Sequence, residues 1–414
     1  MQRTDTIIIG AGQAGLALST CLTDAGRDHV VLERGRLAER WRSERWDSLR
    51  LLTPNWMSRL PGWSYRGPEP DAFMTVPELV AYFENYAASF TAPVQEETTV
   101  LAVRPTTPGY RVETDQGVWS ALNVVIATGV EGHPYVPAMA AELPAGVHQV
   151  TSTTYKNPNH LPDGAILVVG ASATGVQLAD ELARAGREVT LAVGDHTRMP
   201  RRYRGHDIFR WLEWIGSFDT TIDELPDPSA AARAPSMQLV GRPSNDQIDL
   251  ATLRERGVRL AGRLEHLEGG SAGFRDDLQD TVSRSDQRMF RVLDRIDERL
   301  RRCGAPDAGA PSDRPAPLTV GSSPTTIDLR AGGISTVVWA TGFRRSYPWL
   351  HVPVVGRDGE IVQRRGVTPN PGLYVLGLRF QYHRNSNFID GVGRDAAYIA
   401  AHIGADARDE EVAA

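Results

Sequence analysis

Residues 167–182 read LVVGASATGVQLADEL. An apolar run meets Gly170, Ser172 and Gly175, and a segment of helical spacing follows. The chain carries the same arrangement at 7–22, IIIGAGQAGLALSTCL, with Gly10, Gly12 and Gly15. Short, β-branched, unbroken apolar runs are what strands buried on both faces require. Each copy therefore reads as strand, tight glycine turn and helix, and each is followed by another strand, HVVLERG and EVTLAV. These are two βαβ units. The second copy is either a worn relic of the first or a site for a different nucleotide.

The first loop has every part of a dinucleotide fingerprint. Gly10 makes the tight turn, Gly12 leaves room for a pyrophosphate to approach the backbone, and Gly15 lets helix and strand pack closely. Free N–H groups and positive potential at the helix start favour phosphate. Glu33, at the end of the next strand, suits the two ribose hydroxyls of an adenosine and repels a 2′-phosphate. FAD and NAD both fit.

The second loop differs in informative ways. Ser172 replaces the middle glycine, yet serine is small and its hydroxyl can donate to phosphate. Ala173 and Thr174 open the helix, and Gly175 keeps the close helix–strand contact. The offset that leads from Gly10 to Glu33 leads from Gly170 to Val193, so the ribose-binding acid is missing, with Asp195 the nearest carboxylate. HTRMPRRYRG follows, and Arg198, Arg201 and Arg202 together fit a 2′-phosphate. The expected ligand of this loop is NADPH.

At 414 residues with 41% hydrophobic content, the chain is long enough for two globular domains. The fold class expected is α/β, with two Rossmann-like dinucleotide-binding domains, the second inserted into the first. The first comprises 1–155 and 331–405, the second 160–330, and 406–414 is a tail. SALNVVIATG at 120–129, which contains Thr128 as a further cofactor-binding candidate, is repeated in form by ISTVVWATG at 334–342. Residues 304–325 are a Pro/Gly/Ser-rich loop. Leu278, Val282, Met289, Leu293, Ile296 and Leu300 form a helical stripe that packs on the domain.

Composition excludes several classes. A net charge of −6 gives no reason to expect nucleic acid or an anionic membrane. No apolar run approaches the ~18 residues of a membrane span, and the start fits no secretory signal. Cys21 and Cys303 stand in no CxxC, so a cytoplasmic setting is expected and disulfide reduction is disfavoured. Metal-ligand spacing and hydrolase nucleophile motifs are absent from the sequence. Lys156 is the only lysine, an arginine bias of the kind high-GC bacterial genomes impose.

With two dinucleotide loops and two ATG strands in view, the chain resembles the two-dinucleotide-binding flavoproteins. ERWRSERWDSLRLLTPNWMSRLPG (39–62) is similar to the tryptophan-arginine segment of flavin-containing and YUCCA-type monooxygenases. LYVLGLRFQYHRNSNFIDGVGRDAAYIAAHI (373–403) resembles their C-terminal flavin-embracing segment. The resemblance implies FAD in the first loop, Trp41 and Arg42 lining the flavin, and Val100 facing the adenine. It implies that Phe388 and Ile389 offer backbone N–H groups to the flavin's pyrimidine edge, with a helix starting near Gly391. It implies an NADPH-consuming enzyme whose flavin C4a-hydroperoxide oxygenates a small organic substrate at nitrogen, sulfur or a carbonyl carbon, using O2.

The family's fingerprint before the second loop is incomplete: in AGVHQVTSTTYKNP (145–158) the Phe, Gly and His positions hold Ala145, Val147 and Thr151. This weakens a Baeyer–Villiger assignment. The catalytic candidates are Thr53 and Asn55, nearest to the assisting asparagine of animal-type enzymes, and His383 and Arg384 in FQYHRNSNF. The alternatives are an NADPH-dependent flavin reductase or oxidase without oxygen transfer, and a non-catalytic flavoprotein sensor. A homodimer is compatible with the chain.

Overall fold

The structure is a computed structural model that describes residues 1–129, 132–303 and 313–413. Strand β1 (Gln2–Ile9) leads into α1 (Gln13–Asp24) and β2 (His29–Leu32). A short helix α2 (Glu39–Ser43) and a longer α3 (Val76–Ser89) follow. Then come β3 (Val94–Gln95), β4 (Val100–Pro105), β5 (Tyr110–Thr114) and β6 (Gly117–Ile126). The second half holds β7 (His148–Thr151), β8 (Ala165–Val169), α4 (Ala173–Arg184) and β9 (Val189–Ala192). It continues with α5 (Ile208–Trp214), β10 (Arg259–Ala261), α6 (Leu278–Cys303) and β11 (Ile334–Trp339). The chain ends on β12 (Leu373–Val375) and α7 (Val392–Ala413).

These strands build two sheets on one plan. The first runs β3-β2-β1-β6-β5-β4, with β12 also beside β6; the second runs β7-β11-β8-β9-β10. Each glycine-loop strand is central, with the strand after its helix on one side and an ATG strand on the other. All pairs in the second sheet are parallel. Parallel strands need both faces covered, and Ile7, Ile8, Ile166 and Val168 are fully buried. Each fully buried side chain of this size contributes about 1.5–3 kcal/mol against exposure. On one face of the first sheet α1 packs against α3 and α7 through Leu16, Leu22, Phe83, Ile399 and Ile403.

The pairing shifts the expected domain limits. β11, the second ATG strand, is not part of the first domain: it lies between β8 and β7 in the second sheet. Val150 and Val338 pair, as do Val168 and Val338. Residues 148–151 and 334–339 thus belong to the second sheet, outside the limits of 160 and 330 expected for that half. The physical reason is symmetry: each central strand needs its own apolar neighbour, so each sheet takes one ATG strand.

The helical stripe is observed as α6, with Met289, Leu293 and Ile296 fully buried. Of the loop 304–325, residues 304–312 lie outside the described residues, as does Ala414 of the tail; α7 otherwise runs to Ala413. First-domain segments also enter the second domain. Met57 and Phe388 pack with α5 and α6, Trp46 joins the core around β8, and Lys156 Nζ donates to the carbonyls of Ser43 (2.5 Å) and Arg45 (3.0 Å). No described helix is long and apolar enough to cross a membrane.

Candidate functional site

The two glycine loops match in backbone dihedrals and in their close approaches. Gly10 and Gly170 have φ of +110° and +108°, a region that favours glycine. A Cβ there would lie 2.7 Å from the carbonyl oxygen of Ala127 and 2.4 Å from that of Ala340. Gly15 and Gly175 approach still closer: a Cβ would stand 1.9 Å from Gly10 O and 1.8 Å from Gly170 O. Gly12 has φ −90° and ψ −169°, and Ser172 has φ −75° and ψ −174°. Serine therefore holds the glycine's backbone conformation without strain.

Both helices open without a side-chain cap. The contrast is α3, where Thr75 and Glu78 form a capping box, with Thr75 N–H donating to Glu78 Oε2 at 2.7 Å. Uncapped first-turn N–H groups stay available to an anion. The Ser172 hydroxyl and the half-buried Thr174 sit at this opening, and Ala173 is buried. A Cβ on Gly12 would meet nothing within 4 Å, so the space over the first loop is open. Glu33 is nearly buried and its Oε2 accepts from Ala11 N–H at 2.8 Å. A dinucleotide fits this cradle. Thr128 stands against it, its Cα 3.4 Å from the Cβ position of Gly10.

The C-terminal tail closes over the same loop. Gly377 approaches so near that its Cβ would be 2.8 Å from Ala14 Cβ, and Gln13 Nε2 donates to Asn387 O at 3.4 Å. Neither tie was visible in the sequence pattern. Segment 55–63 packs on this tail: Arg59 pairs with Asp390, and the Gly393 Cβ position is 3.2 Å from Pro61. Buried polar atoms without a described partner gather on these two segments, among them Asn55 Oδ1, Trp63 Nε1, Gln381 Nε2, His383 Nδ1 and Asn387 Oδ1. Buried polar groups are normally satisfied, so a polar ligand suits this place.

The catalytic candidates fall here. Asn55 is buried, donates Nδ2 to Glu69 O at 2.9 Å and leaves its Oδ1 unpaired; Thr53 is half-buried two residues earlier. His383 is half-buried, 3.8 Å from the buried Asp395 carboxylate, with the Tyr382 ring edge-on at 4.7 Å. Arg384 is exposed, and crowding by protein together with the Arg295 charge lowers its pKa.

Several expected ligands point elsewhere. Arg198 is buried and held by Asp249 at 2.9 Å, Asp286 at 2.8 Å and the Ala316 carbonyl at 2.9 Å. Arg201 is 1% exposed, bonded to Asp207 and to Leu52 O at 2.7 Å. Both guanidinium groups are spent inside the protein, so neither is free for a 2′-phosphate. Arg202 is exposed and turns back to the Gly205 carbonyl. Arg42 donates to Glu84 at 2.5 Å and to Leu37 O at 3.0 Å, away from the flavin role expected of it. The Phe388 N–H is used on Asn385 O at 2.8 Å, while that of Ile389 has no described backbone partner. Trp41 is half-buried under Arg45, 4.7 Å from its ring, and Val100 is half-buried at the start of β4.

Comparisons with known proteins bear on this geometry. The family model described as pyridine nucleotide-disulphide oxidoreductase matches residues 7–210. An uncharacterized oxidoreductase named CzcO-like from Geobacillus kaustophilus is 32% identical over 403 residues, covering 96% of this chain and 98% of its own. The probable indole-3-pyruvate monooxygenase YUCCA1 of Arabidopsis thaliana is 32% identical over 426 residues, covering 98% and 90%. The chain belongs to the flavin-containing monooxygenase-like superfamily. A solved flavin-containing monooxygenase from Stenotrophomonas maltophilia shares the fold, with TM-score 0.66 at 20% identity, covering 98% of this chain and all of that one. As a member of this superfamily the protein is an oxidoreductase with a two-dinucleotide-domain α/β fold. The tail 377–395 is the segment that lies against the first glycine loop and its helix.

Proposed function

We propose that the protein is an FAD- and NADPH-dependent monooxygenase acting on a small organic substrate. When bound, FAD would supply the redox and oxygen chemistry. The balance is NADPH, a proton, O2 and substrate giving NADP+, water and oxygenated product. In this reading Gly10, Gly12 and Gly15 admit the flavin's pyrophosphate to the first turn of α1, and Glu33 accepts from the adenosine ribose. Gly170, Ser172, Thr174 and Gly175 do the same for NADPH, the Ser172 hydroxyl donating to phosphate. Ile389, not Phe388, presents a backbone N–H to the flavin ring. Asn55, with Thr53 beside it, His383 and Arg384 face the substrate, and the Asp395 carboxylate orients the His383 ring.

The observation that carries the reading is the pair of loops: one backbone geometry twice, with an acid at the first strand end and none at the second. Disulfide reduction has no support in the cysteines. Cys21 is on α1, where burial pushes its thiol up to about 11, and Cys303 is exposed at the end of α6. The experiment is to reduce the flavoprotein with NADPH without oxygen, then admit O2. A transient oxygen adduct of the flavin supports oxygen transfer. Prompt peroxide release, with candidate substrates present, makes the protein an oxidase or reductase. Failure of NADPH to bleach the flavin makes it a sensor.

A further inference from the structure

The twin sheets permit a position-by-position comparison of the two nucleotide sites. Ile9 pairs with Leu32 in the first sheet, and Val169 with Ala192 in the second. Gly10 N–H donates to Leu32 O (2.8 Å), and Gly170 N–H to Ala192 O (3.0 Å). One strand further out, Leu32 pairs with Gln95 and Ala192 with Ala261. Glu33 N–H donates to Gln95 O and Val193 N–H to Ala261 O, both at 2.9 Å. Glu33 therefore corresponds to Val193, Glu96 to Gly262, and Glu97 to Arg263.

The charge at these strand ends inverts between the two sites. The first site has Glu33, Glu96 and Glu97; the second has Val193, Gly262 and Arg263. Arg263 leaves β10 exposed and reaches across to β9. Its Nε and Nη2 lie 3.5 Å from the Cβ position of Gly194, nearer than any atom outside the adjoining residues. The guanidinium thus lies in van der Waals reach of the end of β9. The Arg263 guanidinium makes no ion pair or hydrogen bond among the described residues; only its backbone is engaged, the N–H donating to Asp277 at 3.3 Å and the carbonyl accepting from Arg275 N–H at 2.9 Å. Of the two acids near this strand end, Asp195 is neutralised by Arg288 at 2.7 Å, and Asp277 accepts from the Arg263 backbone without pairing its guanidinium.

We infer that Arg263 is the residue that selects NADPH over NADH, by donating to the 2′-phosphate at the end of β9. An adenosine bound to the second loop as in a Rossmann site puts its 2′ position at the end of the second strand, the position Arg263 overlies. A planar guanidinium can also stack on the adenine or donate a fork of N–H groups to phosphate. Arg263 thus takes the role that the run at 198–202 suggests in the sequence. It rests on the reading of the second loop as a nicotinamide-nucleotide site.

The test uses the FAD-loaded protein and three probes: NADPH, NADH and adenosine 2′,5′-bisphosphate. Binding is read by calorimetry, and the KM for each nucleotide from anaerobic flavin reduction. In the wild type, NADPH and the bisphosphate bind and NADH binds weakly. Arg263→Ala raises the Kd for NADPH and the bisphosphate about 10- to 100-fold, the range of a charge-assisted contact. NADH changes less than about two-fold. Arg263→Lys restores part of the NADPH affinity, and Arg263→Glu, which copies Glu97, removes the preference. Equal loss of NADPH and NADH in Arg263→Ala, or no change in either, overturns the inference while leaving the proposed function standing. A wild type that binds none of the three probes overturns both.

Discussion

Gly175→Ala is the substitution that separates the two sites most sharply. A Cβ at 175 would stand 1.8 Å from Gly170 O, whereas such contacts do not close below 3.0 Å, so about 1.2 Å must open. The opposing atom is backbone in a turn pinned by the Gly170 N–H to Ala192 O bond. Helix α4 must therefore slide off the turn that holds the nucleotide. Overpacking of this kind costs about 1–3 kcal/mol, and a displacement near 1 Å at a positioning element lowers function about 100-fold. Native stabilities of about 5–15 kcal/mol exceed the lower end of that cost. Expected is a protein that keeps its flavin while the Kd for NADPH, from the concentration dependence of anaerobic flavin reduction, rises about 10- to 100-fold. Gly15→Ala, whose Cβ would lie 1.9 Å from Gly10 O, gives the converse: flavin is lost on desalting. If Gly175→Ala shed flavin and left NADPH binding intact, the assignment of the loops would be reversed. If both variants behaved as wild type, neither loop would be a site.

Arg198→Ala leaves Asp249 and Asp286 buried without their cation. A loss of about 3–5 kcal/mol is expected in denaturant melts, with the NADPH to NADH preference of the folded fraction unchanged; a changed preference would return Arg198 to the nucleotide site. Burial holds the pKa of His29 and His196 below the usual imidazole value. The unfolded chain then takes up protons first, so these groups contribute stability above about pH 6.5 that is lost as pH falls below it. The melting temperature should drop between pH 7.5 and 5.5, and His29→Asn should flatten that drop; an unaltered slope would exclude His29. At pH 8 iodoacetamide should label the exposed Cys303 and spare Cys21, whose thiol is raised to about 11. A Cys21→Ser, Cys303→Ser double variant should oxidise NADPH at the wild-type rate, and a collapse of turnover would reinstate disulfide chemistry.

Much of the plan was written locally. A glycine turn, its helix and the flanking apolar strands are contiguous, so both loops, and the helix at 278–303, could be read from spacing. What failed was non-local. The second ATG strand looked like part of the first domain because sheet membership depends on which neighbour a strand finds, and residues 334–339 find β8 and β7. Arg198 and Arg201 looked like part of a phosphate site because density of charge is visible in a sequence and burial is not. Their carboxylate partners, Asp249, Asp286 and Asp207, are visible only in the fold. Arg263 was passed over for the opposite reason: it stands alone, and only the pairing of β10 with β9 carries it to Gly194.

The central claim is that one backbone device is used twice for two different dinucleotides. The most direct measurement is a crystal structure of the protein grown with FAD and NADP+. The account predicts FAD with its ribose hydroxyls on Glu33, and NADP+ over Ser172 with its 2′-phosphate against Arg263. NADP+ in the first loop, or a second loop that stays empty at saturating NADP+, would contradict it.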